Sequence, residues 1–404
     1  MTQAGQGFVQ GPLDGVRVID LSAVVSGPFA TAMLADQGAD VVVVEPVDAP
    51  DIIRSAGVVA KGAEGASSFW VAQNRNKRAI ALDLKTERGV QLLKDLVRRA
   101  DVVVQNFRPA VVQRMGIGWE VLSAMNPGLV MVSISGFGSD GPYANRPAFD
   151  PILQSICGYA VVQADPDGRP RLMRTILVDK VTSLNVAQAV CAALVARANG
   201  HGGQHVEVAM LDAAIHFLWC DGMWNYTYLD HPSAQPEVNL SLHLYRTTDG
   251  WVMVYPIAKP QHWHNALVAL GRLDLEDDPR FRELYQRSGN VVELNAELQP
   301  SIGRFSTAEV IELMLAHDVP VAPVNDRAQM LADPQVLARQ IVVEADHPVA
   351  GRVRMARSAP RYSKTPATMR RHAPGHGEHT EEVLNELGLA PAEIAQLRAE
   401  GVVR

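Results

Sequence analysis

The sequence predicts an α/β fold, an open Rossmann-like parallel sheet in a large domain joined to a smaller α+β domain. Two observations carry this. Through the first third of the chain, short β-branched runs alternate with helical patterns, the order that builds βαβ units and a parallel sheet. From about Tyr226 the pattern changes to isolated strands and frequent turn signals, which marks a separate unit. The large domain is placed at 1–224 and the small one at 225–330.

The elements follow in order. Residues 16–21 form an apolar strand, 27–37 a helix stopped by Gly38, and 40–45 a second strand whose four valines suit a sheet buried on both faces. The alternation continues with a strand at 79–84, a helix at 86–99, a strand at 101–105, helical pieces to Met125 and a strand at 129–135. After Asp150 the chain turns helical and apolar, above all over 178–198, until the glycines at 200–203 break it. A strand at 205–209 and a helix from Leu211 complete this part, and 251–255 is a strand of the small domain. The stretch 352–375, rich in Arg, Pro and Ser, reads as an extended crossing segment, and 380–387 and 391–400 as closing helices.

Composition narrows the function. A chain of 404 residues, 47% hydrophobic and 20% charged, is ordinary for a globular enzyme with substantial cores. A formal net charge of −7 argues against general nucleic-acid binding, which needs clustered positive charge. Cys157, Cys191 and Cys220 have no metal-ligand spacing and read as reduced thiols, and the His262-Trp263-His264 triplet lacks ligand partners at metal spacing. Residues 1–11 are polar and glycine-rich without an apolar core, and no run approaches about 18 consecutive apolar residues. A cytoplasmic protein without a membrane partner is expected.

Asp150 is the most informative residue. It ends the glycine-rich stretch Gly136-Phe-Gly-Ser-Asp-Gly-Pro-Tyr-Ala-Asn-Arg-Pro-Ala-Phe-Asp150 and precedes an apolar helical run. Pro151 suits the first helical position and Asp150 the N-cap, where a helix N-terminus favours negative charge. Gly136 to Gly141 matches G-x-G-x-x-G, yet Pro142, Asn145 and Pro147 prolong the loop where a dinucleotide fingerprint would open a helix directly. A nucleotide-dependent oxidoreductase is therefore rejected.

The chain resembles the family III CoA-transferases, a superfamily that also holds the α-methylacyl-CoA racemases. The resemblance runs through Leu13-Asp-Gly-Val-Arg-Val-Ile-Asp-Leu-Ser22, Ser26-Gly-Pro-Phe-Ala-Thr31, Asn74-Arg-Asn-Lys-Arg78, Asn106-Phe-Arg-Pro109, Ser135-Gly-Phe-Gly138, Asp333-Pro-Gln-Val-Leu-Ala-Arg339 and Gly377-Glu-His-Thr380. It implies an interlocked homodimer in which residues 331–404 return to complete the large domain. It also implies Asp150 as the catalytic residue. Val25, Ser26, Asn74, Arg75, Asn76, Lys77, Asn106, Phe107, Arg108, Arg114, Met115, Ser135, Gly136, Phe137 and Gly138 become the implied contacts to coenzyme A.

The cations support such contacts, because Arg75, Lys77, Arg78, Arg108 and Arg114 fall at predicted strand ends or adjoining loops, where an open α/β sheet places ligands. The CoA phosphates call for them. Two positions depart from the formyl-CoA transferases of the family: Pro46 stands where they have a CoA-binding arginine, and Val25 where they have an active-site glutamine. An acid larger or more apolar than oxalate is expected.

The implied reaction moves coenzyme A from an acyl-CoA to a free carboxylic acid, with no cofactor beyond the CoA substrate, through an aspartyl anhydride and an aspartyl-CoA thioester. The alternative is an acyl-CoA racemase, epimerase or isomerase of the same superfamily. Racemases carry Gly-His-Asp at this motif and a separate catalytic histidine earlier in the chain. Here the triplet is Ala148-Phe149-Asp150, and no histidine precedes Tyr159.

Overall fold

The computed structural model describes residues 11–165, 167–230, 242–256 and 259–404, so the reading of the first ten residues lies outside the described residues. The chain divides into a large unit, Met1–Gly222 with Gln340–Arg404, and a small unit, Met223–Arg339.

The large unit opens with β1 (Arg17–Asp20), α1 (Ser26–Asp36), β2 (Asp40–Glu45), α2 (Ser68–Asn74) and β3 (Lys77–Ala81). There follow α3 (Glu87–Val97), β4 (Val102–Gln105), α4 (Pro109–Arg114), α5 (Trp119–Met125) and β5 (Val130–Ser135). Then come α6 (Asp150–Ile156), α7 (Tyr159–Val162), α8 (Leu177–Ala196), β6 (Gln204–Ala209) and α9 (Met210–Gly222). Six strands form one sheet in the order β3-β2-β1-β4-β5-β6, every pair parallel. Its central strands are valine-rich because both faces are covered, and Val41, Val43, Val102, Val103 and Val104 are buried. Thr86 caps α3 by accepting the Gly89 N–H, and Gly38 ends the α1 turn at φ +111°, a conformation that excludes most side chains.

Leu177–His201 is long and apolar enough to cross a membrane by length and composition; here α8 packs against α1, α6 and α9. The small unit contains β7 (Tyr245–Arg246), β8 (Trp251–Val254), α10 (Pro260–Leu270), α11 (Leu284–Gly289), α12 (Val291–Ile302), α13 (Thr307–Ala316), β9 (Val321–Pro323), α14 (Arg327–Ala332) and α15 (Pro334–Ala338). Its antiparallel strands pack with the helices around Trp263, Leu267, Phe281, Leu298 and Met314.

The tail of the large unit corrects one expectation. The stretch read as wholly extended from residue 352 begins inside a hairpin of β10 (Val342–His347) and β11 (Gly351–Ala356), and the rest to 379 lacks regular elements. Charged alternation along β11 obscured the strand. The closing helices α16 (Thr380–Leu387) and α17 (Pro391–Ala399) put Val383, Leu384, Ile394 and Leu397 onto the sheet face that carries Ile19, Val42, Ile80 and Val103.

On the other face a buried ion pair and its hydrogen bonds join four elements, β1, α1, α2 and β3. The Lys77 ammonium lies 3.0 Å from the Asp20 carboxylate and also donates to the Pro28 carbonyl and the Asn74 side-chain oxygen. Both side chains are wholly inaccessible to solvent. Burial pushes the Lys77 ammonium below the ordinary lysine range, and the Asp20 charge works against that shift. Removing one partner strands the other charge in the interior. Lys77→Met is therefore expected to destabilise the fold by about 3–5 kcal/mol in urea unfolding; a loss below about 1 kcal/mol would show that the pair contributes no more than a surface one.

Candidate active site

The sheet order reverses between β1 and β4, and open α/β sheets bind ligands beyond the carboxyl ends of the strands at such a reversal. Two loops meet there. Asn106, directly after β4, accepts the Ala23 N–H at 3.0 Å and donates to the Ala23 carbonyl at 2.8 Å, so one amide grips both backbone groups of the loop after β1. The next residue, Val24, sits at φ +71°, which is rare for a β-branched side chain. Such strain persists only where neighbours over-determine it. Asp51 accepts the Val24 N–H at 2.9 Å and Gln73 donates to the Val24 carbonyl at 2.6 Å. Burial raises the Asp51 pKa, and the N–H bonds from Ile53 and Val24 oppose the rise. The clamped loop delivers Val25 and Ser26, both buried, to the start of α1.

Asp150 arrives by a different route. Gly136 has room for no side chain, because a Cβ there would lie 2.1 Å from Cβ of Ala148. The loop from the end of β5 thus closes on itself and returns the chain to its starting point. Gly138, at φ +97°, gives its N–H to the Ser135 hydroxyl, so this N–H is spent within the loop and is not free for an oxyanion. Phe137 meets Tyr143 edge-on, and Arg146 lies over the Tyr143 ring, which fills the loop with its own side chains.

The structure moves Asp150 by one helical position. Phe149 is the N-cap, Asp150 the first residue of α6 and Pro151 the second. A capping carboxylate would be used up on the N–H groups of its own helix. Asp150 instead accepts from Gln154 Nε2 at 2.5 Å through Oδ1 and from the Asp179 main-chain N–H at 3.1 Å through Oδ2. Gln154 is fixed in turn by the Met173 N–H at 2.9 Å and the Thr175 carbonyl at 3.2 Å. The Asp179 side chain accepts from the Ser26 hydroxyl. Burial raises the Asp179 pKa and the Asp150 charge adds to the rise, while the Ser26 bond opposes it.

Of the residues singled out in the sequence, Val25, Ser26, Asn106, Phe107, Arg108, Ser135, Gly136, Phe137, Gly138 and Asp150 follow or face the carboxyl ends of β1, β4 and β5. Arg108 is exposed, as is Arg114 at the end of α4, while Phe107 and Met115 pack partly against the core. Asn74, Arg75, Asn76 and Lys77 are not at this edge. They sit where β3 begins, at the opposite end of the strands, and all four are buried. Arg75 pairs with Asp36 at 2.6 Å, Asn76 donates to Asp36 and to the Thr368 carbonyl, and Lys77 holds Asp20. Arg78 is likewise bound to Asp40, Glu382 and Glu386. As placed, these groups tie the fold together; the Asn74 side-chain NH2 is buried and has no hydrogen-bond partner among the described residues. These residues precede or open the strand whether it begins at 77 or at 79, so they lie at its amino end, and nearness to a strand in sequence does not by itself place a residue at the ligand edge.

Lys85 was not singled out in the sequence. It lies beyond the carboxyl end of β3, with only a solvent-exposed partner, Asp48, at 3.3 Å. Gln154 was legible in principle, since positions four apart share a helix face. Asp51, Gln73 and Asp179 were not, because their contacts are tertiary.

The sequence profile of CoA-transferase family III matches residues 13–380. The succinyl-CoA–L-malate CoA-transferase beta subunit of Chloroflexus aurantiacus is 32% identical over 97% of this chain and 98% of its own. The succinate–glutarate CoA-transferase of Agrobacterium fabrum is 33% identical over 93% of this chain and 96% of its own. A solved CaiB/BaiF family protein from Brucella suis superposes with a TM-score of 0.80 at 30% identity, covering 94% of this chain and all of that one.

Asn106→Ala removes two hydrogen bonds that hold a strained loop, each worth about 0.5–1.5 kcal/mol. The expected loss is about 1–3 kcal/mol in chemical unfolding, with Asn106→Asp recovering less than half, since a carboxylate cannot donate to the Ala23 carbonyl. Full stability in the alanine variant would show that the loop holds its shape unaided.

Proposed function

The chain belongs to CoA-transferase family III, and from that premise we propose that Asp150 is the nucleophile that keeps the acyl group activated while coenzyme A changes partners. The observation that carries the reading is the position of Asp150 at the sheet reversal, its carboxylate aligned by two N–H donors and not used as a cap. The first attack, by a carboxylate oxygen of Asp150 on the donor thioester, breaks the C–S bond, releases CoA thiolate and leaves a mixed anhydride. The thiolate then attacks the Asp150 carbonyl, the donor acid leaves as its carboxylate, and an aspartyl-CoA thioester remains. The acceptor carboxylate repeats the exchange in reverse, forming a second anhydride that the thiolate cleaves to the new acyl-CoA. One negative charge is carried through every step, and no proton is gained or lost.

Asp150's own carbonyl oxygen becomes an oxyanion twice in this sequence. The oxygen retained at each tetrahedral stage already faces a donor, Gln154 Nε2 or the Asp179 N–H, so stabilisation needs no rearrangement. Arg108, Arg114 and Lys85 are exposed cations in loops or at a helix end after β3 and β4, and they would supply the charge that the CoA phosphates require. The two relatives named above act on dicarboxylic acids, which supports an acceptor larger than oxalate, in keeping with Val25 and Pro46. The same reading takes a homodimer as the working form, with Phe217 and Trp219 of α9, both exposed in the single chain, available for burial.

Asp150→Ala is expected to abolish transfer while CoA affinity stays within about tenfold, because covalent chemistry and phosphate binding use different groups. Incubating the wild type with acyl-CoA and hydroxylamine should convert Asp150 to a hydroxamate. An adduct at another acidic residue, or α-deuterium uptake by a 2-methylacyl-CoA in deuterium oxide that Asp150→Ala abolishes, would replace this mechanism.

Charge removal at Arg108 is expected to raise KM for acyl-CoA about tenfold or more with kcat changed less than threefold, since remote phosphate contacts bind ground and transition states alike. Steady-state kinetics on Arg108→Met decide it. A fall confined to kcat would place Arg108 at the reacting carbon instead.

A further inference from the structure

The transferase reading gives Asp150 a role but leaves its nearest acidic neighbour without one. Asp179 stands 29 residues further along the chain, in the first turn of α8, and the two meet because α6 packs against α8. Three contacts define the arrangement. The Asp179 main-chain N–H donates to Asp150 Oδ2 at 3.1 Å. Ser26, at the start of α1, donates its hydroxyl to the Asp179 side chain. Ser183, one turn further along α8, donates to the Ser26 carbonyl at 2.8 Å. The start of α8 is thus fastened to the start of α1 at two points, and the N–H aimed at the nucleophile lies at that joint.

We propose that Asp179 is the positioning residue of the nucleophile: its side chain, anchored on Ser26, fixes the main-chain N–H that orients Asp150 and stabilises the oxyanion formed there. The proposal rests on the transferase reading for the oxyanion and on geometry alone for the anchor. A donor at a developing oxyanion is effective when it is held in place before charge develops. The Ser26–Asp179 contact supplies that restraint. It also extends to the strained β1–α1 loop, since Ser26 lies just after Ala23, which Asn106 holds, and Val24, which Asp51 and Gln73 hold.

The anchor needs a hydrogen-bond acceptor on Asp179 and no charge. The groups facing the Asp179 carboxyl are Ser26 from α1 and the Asp150 carboxylate from α6; Met210 of α9 lies beyond the Ser26 hydroxyl, and Lys180, next on α8, is engaged with Thr175. No cation among these contacts offsets a second negative charge, and burial with the Asp150 charge pushes the Asp179 carboxyl above the ordinary aspartate range. A neutral amide of the same shape can take the same hydrogen bond from Ser26.

The test compares Asp179→Ala with Asp179→Asn in the full-length protein. The alanine variant keeps the N–H and loses the anchor, and is expected to lower kcat about 10–100-fold, in the range that a small misplacement of a catalytic group costs, with KM for acyl-CoA changed less than threefold. The asparagine variant should recover at least a third of wild-type kcat. Ser26→Ala should fall in the same direction, and the Ser26→Ala/Asp179→Ala double variant should be no worse than Asp179→Ala, because both substitutions cut one link. Asp179→Asn as inactive as Asp179→Ala would overturn the proposal by showing that the acid itself reacts, and wild-type kcat in Asp179→Ala would overturn it by showing that no anchor is needed.

A second measurement does not depend on turnover. In 13C-labelled protein the Asp179 carboxyl resonance, assigned by its loss in Asp179→Asn, should titrate above the ordinary aspartate range, and Asp150→Asn should move it down. An ordinary titration in both proteins would sink the coupled arrangement even if transfer is confirmed. The expected titration in a wild type that transfers no CoA would instead keep the arrangement and remove the transferase reading.

Discussion

The Asp20 carboxylate is the point on which the large unit depends. It closes β1, is fully buried, and accepts from the Ser22 main chain and hydroxyl, from the Thr31 hydroxyl at 2.5 Å and from the Lys77 ammonium. Those donors lie on the β1–α1 loop, on α1 and on β3. A buried charge must find such partners or be expelled, so satisfying Asp20 fixes how the chain leaves β1, how α1 sits over the sheet and where β3 begins. Gly27 follows from the same crowding, since a Cβ there would lie 2.0 Å from the Ser22 hydroxyl oxygen. The active-site loop is the shortest path between two ends that Asp20 has already placed.

The elements of the parallel sheet were legible in the sequence because burial on both faces leaves a simple mark: runs such as 41–44 and 102–104 contain only valine. Asp150 was legible for a comparable reason, as the point where a glycine-rich loop becomes an apolar helix. What failed was the assignment of polar residues to an edge. Lys77 and Asn106 both looked like phosphate contacts beside strands, yet one is sealed under α1 and the other grips Ala23. A residue that precedes or opens a strand lies at its amino end, so the main chain of Lys77 falls away from the carboxyl edge whether the strand begins at 77 or at 79. The partners of Asp150 lie deeper still, because Asp179 reaches it only through the packing of α6 on α8.

The C-terminal segment belongs to the same unit by specific contacts as well as by packing. Asn76, at φ +64°, accepts the Arg371 N–H at 3.0 Å and donates to Thr368. Arg54, paired with Glu45 and stacked over Trp70, donates to the Pro374 carbonyl, which the Trp70 indole also reaches at 2.9 Å. Arg78 adds the bridges to α16. The buried polar residues of the α2–β3 region thus secure the returning tail.

The contact between Gly136 and Ala148 separates the loop that precedes Asp150 into a neck and a tip. The neck leaves no room for a side chain at Gly136, and the tip leaves and rejoins the fold through that closure. Since loop-closure entropy rises slowly with length, residues can be gained, lost or exchanged in the tip at small cost and without displacing the helix that starts at Asp150. A chain built this way can redraw the tip alone, so variation along the loop is decoupled from the placement of α6.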